Sequence, residues 1–126
     1  MNPDQVVVGV VDDDPRVVES LQELLLSAGY EVLPFLSAES FLEANGFQQV
    51  DCVISDIGLP VMSGSDLLEI ARAQHPAMPV ILITARDEQP LREMMTERGA
   101  RRLFRKPFDG SELLTALASI LRETNS

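Results

Sequence analysis

Three adjacent aspartates, Asp12, Asp13 and Asp14, follow the apolar run VVVGVV (residues 6–11) and stand directly before Pro15. A lone acid, Asp56, follows CVIS, Thr84 ends PVILIT, and Lys106 follows RLFR. Adjacent carboxylates repel, by about 1 kcal/mol for a pair about 4 Å apart in water and several times more in a semi-buried cleft. A hard divalent cation removes that repulsion. Oxygen donors with room for water describe Mg²⁺, with Mn²⁺ the other ion such donors suit. Carboxylates holding a cation, together with a lysine and a hydroxyl, match the oxygens of a phosphoryl group. The remaining carboxylate, Asp56, can then act as the nucleophile.

Each residue also has a plainer reading when taken alone. Asp14 is well placed to cap a helix opened by Pro15. Asp56 before IGLP suits a turn, Thr84 suits a strand end, and Lys106 suits a solvated surface. Their common placement outweighs these separate readings, and that placement follows from the elements around them.

Short β-rich runs alternate with helical periodicity. Residues 6–11 form a strand buried on both faces, since valine runs through them without polar alternation. A helix then carries Val17, Val18, Leu21, Leu24 and Leu25 to a stop at Ala28-Gly29. EVLPF (31–35) is an edge strand because of its proline. A short second helix, capped by Ser37 or Ser40, runs through Phe41 and Leu42 and ends near Asn45-Gly46. CVIS (52–55) leads into the loop DIGLPVMSG (56–64), and Ser63 and Asp66 are spaced as a capping box for a third helix with Leu67, Leu68, Ile70 and Ala71. PVILIT (79–84) is the fourth strand, residues 89–100 a weakly apolar helix closed by Gly99, and 102–105 the fifth strand. DGSE (109–112) starts a last helix through Leu113, Leu114, Leu117, Ile120 and Leu121.

Five uninterrupted β/α units imply a parallel sheet with helices on both faces and right-handed crossovers. In such sheets ligands bind beyond the carboxyl ends of the strands. The acids, the threonine and the lysine all stand at those ends.

The chain of 126 residues, 45% hydrophobic, reads as one domain, 1–126, with its core over about 6–122. A formal net charge of -10 excludes direct binding to nucleic acid or to an anionic membrane by this chain. No apolar run reaches a membrane span, MNPDQ is not a secretory leader, and one cysteine, Cys52, excludes an internal disulfide. A cytoplasmic protein is expected. His75 in AQHPAMP reads as a surface imidazole, and Met62, Met94 and Met95 as core or rim packing.

Together VVDDDP, DIGLPVMSG, LITARDE and GARRLFRKPF resemble the receiver domain of two-component response regulators, FixJ-like in subtype, from about Val6 to Leu121. The resemblance implies the flavodoxin-like doubly wound (βα)5 sandwich with strand order 2-1-3-4-5. It implies Asp56 as phosphoacceptor for a histidine kinase or phosphotransfer protein. Asp12 and Asp13, with Asp56 and the Gly58 backbone carbonyl, would hold Mg²⁺. Thr84 would hydrogen-bond the phosphoryl group, Lys106 would pair with it, and Lys106-Pro107 would be cis. Intrinsic Mg²⁺-dependent autophosphorylation and autodephosphorylation go with the family. So does a switching face formed by helix 89–100, strand 102–105 and the last helix, which dimerises or contacts an output domain, often DNA-binding.

Three positions depart from or add to the family pattern. Leu103 stands where an aromatic switch residue is common, with Phe104 expected on the opposite face. Gly58 stands where a larger side chain often shields the phosphate, and Arg86 is placed to approach it. Two rival readings remain at this stage. A haloacid-dehalogenase-like phosphohydrolase would use Asp12 as nucleophile with Asp14, but its further acidic pair is matched only by Asp109 and Glu112, placed as a helix cap. A phosphorylation-independent interaction module is the other.

Overall fold

Five strands without polar alternation pair in parallel: β1 (Val7–Val11), β2 (Glu31–Phe35), β3 (Cys52–Asp56), β4 (Val80–Thr84) and β5 (Arg102–Arg105). Their order is β2-β1-β3-β4-β5. The computed structural model describes residues 5–86 and 89–124. Both chain ends and Asp87-Glu88 of LITARDE lie outside them. The central strands β3 and β4 are buried at every position, which is why they are apolar up to the polar residues Ser55, Asp56 and Thr84 at their carboxyl ends. Pro34 lies on β2, the edge strand, opposite Val10.

Among the described residues six helices cover the two faces: α1 (Pro15–Ser27), α2 (Ala38–Glu43), α3 (Gly46–Gln49), α4 (Gly64–Gln74), α5 (Gln89–Glu97) and α6 (Gly110–Thr124). Leu21, Leu25, Leu113 and Leu117 from α1 and α6 pack on Val8, Val10, Ile54, Ile81, Ile83 and Phe104. On the other face Phe41, Leu67, Leu68 and Met95 pack on Val11, Val53, Leu82 and Leu103. Leu103 and Phe104 therefore face opposite layers, as strand alternation requires. This is the doubly wound flavodoxin-like arrangement expected from the sequence.

One element was not anticipated. Beyond α2 the chain does not enter a plain loop; it turns through Asn45, at φ 55, into the single-turn helix α3. Gly46 makes that turn fit, because a Cβ there would lie 2.3 Å from the Phe41 ring.

Strand register decides what meets at the carboxyl rim. Val11 pairs with Ser55, Asp56 with Ile83, and Thr84 with Arg105. The Lys106 N–H also donates to the Thr84 carbonyl at 2.7 Å. Asp12, Asp56, Thr84 and Lys106 are thus one step apart on neighbouring strands.

Candidate functional site

Asp12 is fully buried and Asp56 is 7% exposed, whereas Asp13 is exposed. Their carboxylates converge, with one oxygen from each within 4.8 Å of the others. Lys106 Nζ enters from the β5 side, 2.8 Å from Asp12 Oδ2 and 3.5 Å from Asp56 Oδ2. Asp12 Oδ1 accepts from the Asp14 N–H at 2.9 Å. The buried Asp12 Oδ2 accepts no aligned hydrogen bond among the described residues, so its approach to Lys106 is an ion pair with lone-pair capacity left over.

Asp14 is set apart from this group. It caps α1, its Oδ1 accepting from the Arg16 N–H at 2.9 Å, and its carboxylate pairs with the exposed Arg16 guanidinium at 3.2 Å. That hydrogen bond to the Arg16 side chain holds the Asp14 carboxyl below its ordinary range. Asp109 likewise caps α6 through the Ser111 and Glu112 N–H groups. Asp14 and Asp109, two of the acids that a phosphohydrolase would need, are therefore used as helix caps.

The electrostatics single out Asp56. Burial pushes its carboxyl up, the Asp12 charge adds to that, and Lys106 and the Gly58 N–H pull back without prevailing. Lys106 is the complement: burial acts to lower it, but Asp12 and then Asp56 outweigh burial and raise it. Two buried carboxylates and a third at the surface, compensated by one lysine, leave net negative charge. A small divalent cation fits this donor set of oxygens, and the unaligned Asp12 Oδ2 offers it a free lone pair.

A cleft of about 450 Å³ opens beside the cluster, lined by Asp56, Gly58, Thr84, Arg86 and Lys106 among others. Thr84 is buried, and its Oγ1 accepts from the Arg86 N–H at 3.1 Å. The Arg86 side chain is exposed at the cleft wall. A Cβ on Gly58 would meet only Asp56 Oδ2, at 3.9 Å, so this side of the acceptor is open. Leu103 is buried under α5, and Lys106-Pro107 is cis.

The structure also reveals participants that the sequence did not single out. Glu39 Oε1 accepts from the Met62 N–H at 3.0 Å, tying α2 to the loop after Asp56. Next to it Val61 holds φ 65 while 98% exposed. A left-handed conformation costs a residue with a Cβ about 1–2 kcal/mol, and a hydrogen bond to a charged group contributes about 1.5–3 kcal/mol. Gly64 fits because a Cβ there would lie 2.2 Å from the Asp56 carbonyl oxygen. A motif match cannot show the Glu39 contact, since the partners are 23 residues apart. A valine where the turn bends left-handed was the available signal. His75 is not the plain surface imidazole expected. It ends α4 half-buried and stacks on Phe47 at 5.1 Å. Met95 is core, Met62 rim, and Met94 exposed.

Comparison with known proteins agrees with this geometry. The family model for the response regulator receiver domain matches residues 8–118. The transcriptional regulatory protein FixJ of Bradyrhizobium diazoefficiens is 34% identical over 114 residues, 90% of this chain and 56% of that protein. FixJ of Azorhizobium caulinodans is 35% identical over 119 residues, 94% of this chain and 56% of that protein. A crystal structure of a CheY-like response regulator receiver domain protein from Methanospirillum hungatei JF-1 superposes with a TM-score of 0.87 at 28% identity, covering 96% of this chain and 97% of that one. The chain spans a little over half the length of these FixJ relatives. On the match of nearly its whole length, this chain belongs to the response regulator receiver domain family.

Proposed function

We propose that Asp56 accepts a phosphoryl group from the phosphohistidine of a histidine kinase or phosphotransfer protein. The observation that carries this reading is the convergence, on one strand rim, of a buried Asp56 with Lys106 at 3.5 Å and with Asp12 and Asp13 within 4.8 Å. An Asp56 oxygen forms the new O–P bond as the donor's N–P bond breaks; the histidine leaves with that electron pair and takes a proton from water. Lys106 Nζ offsets the charge that accumulates on the equatorial oxygens. The Thr84 hydroxyl donates to one of those oxygens, and the burial of Asp12 and Thr84 keeps the centre from being fully hydrated.

Asp12, Asp13, Asp56 and the Gly58 backbone carbonyl would hold Mg²⁺, or Mn²⁺ in its place. When bound, that ion supplies positive charge to the phosphoryl oxygens and relieves the carboxylate repulsion. The same residues support autophosphorylation from small donors and autodephosphorylation. Charge on the modified Asp56 draws on Thr84 and Lys106 and biases the face built from α5, β5 and α6. α5 contributes a single buried residue, Met95, to the described core, fewer than any other helix among the described residues, so it is the helix least held in place. That face serves a homodimer or an output domain; the FixJ relatives are named transcriptional regulatory proteins, which points to DNA-binding output in a longer chain. No helix among the described residues is long and apolar enough to cross a membrane, and a cytoplasmic site of action goes with this role.

The test is incubation with acetyl phosphate and Mg²⁺, followed by intact mass and peptide mapping. An adduct at Asp56, absent in Asp56→Asn, supports the proposal. An adduct at Asp12 would instead support the phosphohydrolase, and no adduct an interaction module independent of phosphorylation.

A further inference from the structure

The loop between β3 and α4 is anchored at both ends. The Ile57 N–H donates to the Ile83 carbonyl at 2.9 Å, and the Gly64 N–H to the Ile57 carbonyl at 3.1 Å. Ser63 N–H goes to Asp66 Oδ2 at 2.9 Å, within the capping box. Between these anchors Pro60 has no N–H to offer, and the Met62 N–H is taken by Glu39 from α2. We infer that Glu39 is a positioning residue of the phosphoacceptor loop. Its carboxylate on the Met62 N–H holds Val61 in the left-handed conformation, and so holds the segment carrying Gly58 beside the Asp12–Asp13–Asp56 cluster. This rests on the proposed roles of Asp56 as acceptor and Gly58 as a metal donor.

Val61 makes the inference necessary. A β-branched residue at φ 65 is a genuine outlier. Its side chain is 98% exposed, so no packing of its own compensates the backbone conformation. The compensation has to come from the backbone groups around it. Of those, the Met62 N–H is adjacent to Val61 and is fastened from outside the loop. If Glu39 released it, Val61 would fall back toward the extended basin and turn the Val61–Met62 peptide. Gly64 cannot follow, because it is pressed against the Asp56 backbone. Pro60 absorbs little, since its ring fixes φ. Gly58 is the softest link left, and it is the residue whose N–H reaches the Asp56 carboxylate.

The test is a double-mutant cycle between Glu39 and Val61. Mg²⁺ binding to the unphosphorylated chain is measured by calorimetry, and Met62 amide exchange by NMR. Glu39→Ala is expected to weaken Mg²⁺ binding by roughly tenfold, the scale of residues that orient metal ligands, and to speed exchange at Met62. Glu39→Gln, which keeps an acceptor oxygen, should lie closer to the wild type. Glycine tolerates positive φ, so Val61→Gly should recover most of the loss in the Glu39→Ala background while changing little alone. A Glu39→Ala chain that melts earlier but binds Mg²⁺ as before overturns the inference. So does a double mutant whose losses simply add. Labelling of wild-type Asp56 by acetyl phosphate is read in parallel; its absence would sink the acceptor reading whatever Glu39 does.

Discussion

Replacing the acceptor should stabilise the fold, contrary to the usual effect of deleting a buried ion-pair partner. Asp56 Oδ2 lies 3.5 Å from Lys106 Nζ, and its carboxylate within 4.8 Å of that of Asp12. At an effective dielectric of about 20, these contribute about 5 kcal/mol of attraction and about 3.5 kcal/mol or more of repulsion. The two nearly cancel. Burial of an ionised carboxylate, which costs several kcal/mol, therefore decides the balance, in agreement with an Asp56 carboxyl raised first by burial and then by Asp12.

A group whose folded pKa is raised favours folding below its unfolded value and opposes it once both states are ionised. At pH 7, without divalent metal, Asp56→Asn should gain on the order of 1–2 kcal/mol. That corresponds to about 4–8 °C in Tm for a domain of this size. The gain should shrink as pH falls through the raised Asp56 pKa and vanish below the ordinary carboxylate range. Mg²⁺ should narrow it too, by stabilising the wild type more than the variant. The assay is thermal and urea unfolding from pH 3 to 8, with and without Mg²⁺. A variant less stable than wild type at pH 7 in metal-free buffer, or a gain that persists at pH 3, would refute this account.

Other outcomes follow from single contacts. Gly64→Ala places a Cβ 2.2 Å from the Asp56 carbonyl oxygen, and should cost about 2–3 kcal/mol or more by overpacking, read from the urea midpoint. Gly58→Arg fits sterically, since only Asp56 Oδ2 is near its Cβ; it and Arg86→Ala should each change the autodephosphorylation half-life, and unchanged half-lives in both would show that neither side chain governs access to the phosphoryl group. Burial pushes the Cys52 thiol up to about 12, so the native protein should resist a thiol-specific disulfide reagent at pH 8 and react fully in urea.

The fold was largely legible because its information is local. A strand buried on both faces must be apolar through most of its length, as Val80–Ile83 and Cys52–Ile54 are before their polar carboxyl ends, and helices between such strands must carry an apolar side every three or four residues. Asp12, Asp13, Asp56, Thr84 and Lys106 were legible as one group because strand ends fall on one rim in any sheet of this kind. The single-turn helix α3 was not, since it depends on Gly46 meeting the Phe41 ring from the preceding helix. The half-buried stack of His75 on Phe47 was hidden for the same reason.

What the amino-acid order determined by itself, then, was the alternation of elements, the layer each apolar residue faces, and which chemical groups reach the rim. Only the tertiary structure decided how those groups divide their work. Register brings Lys106 to 2.8 Å from Asp12 and 3.5 Å from Asp56, while the turn into α1 directs Asp14 away to Arg16. The packing of α2 beside the loop sets Glu39 on Met62 and leaves Val61 left-handed. Such contacts join residues far apart in sequence, and their geometry is fixed by the register and packing of the whole sheet rather than by any local propensity.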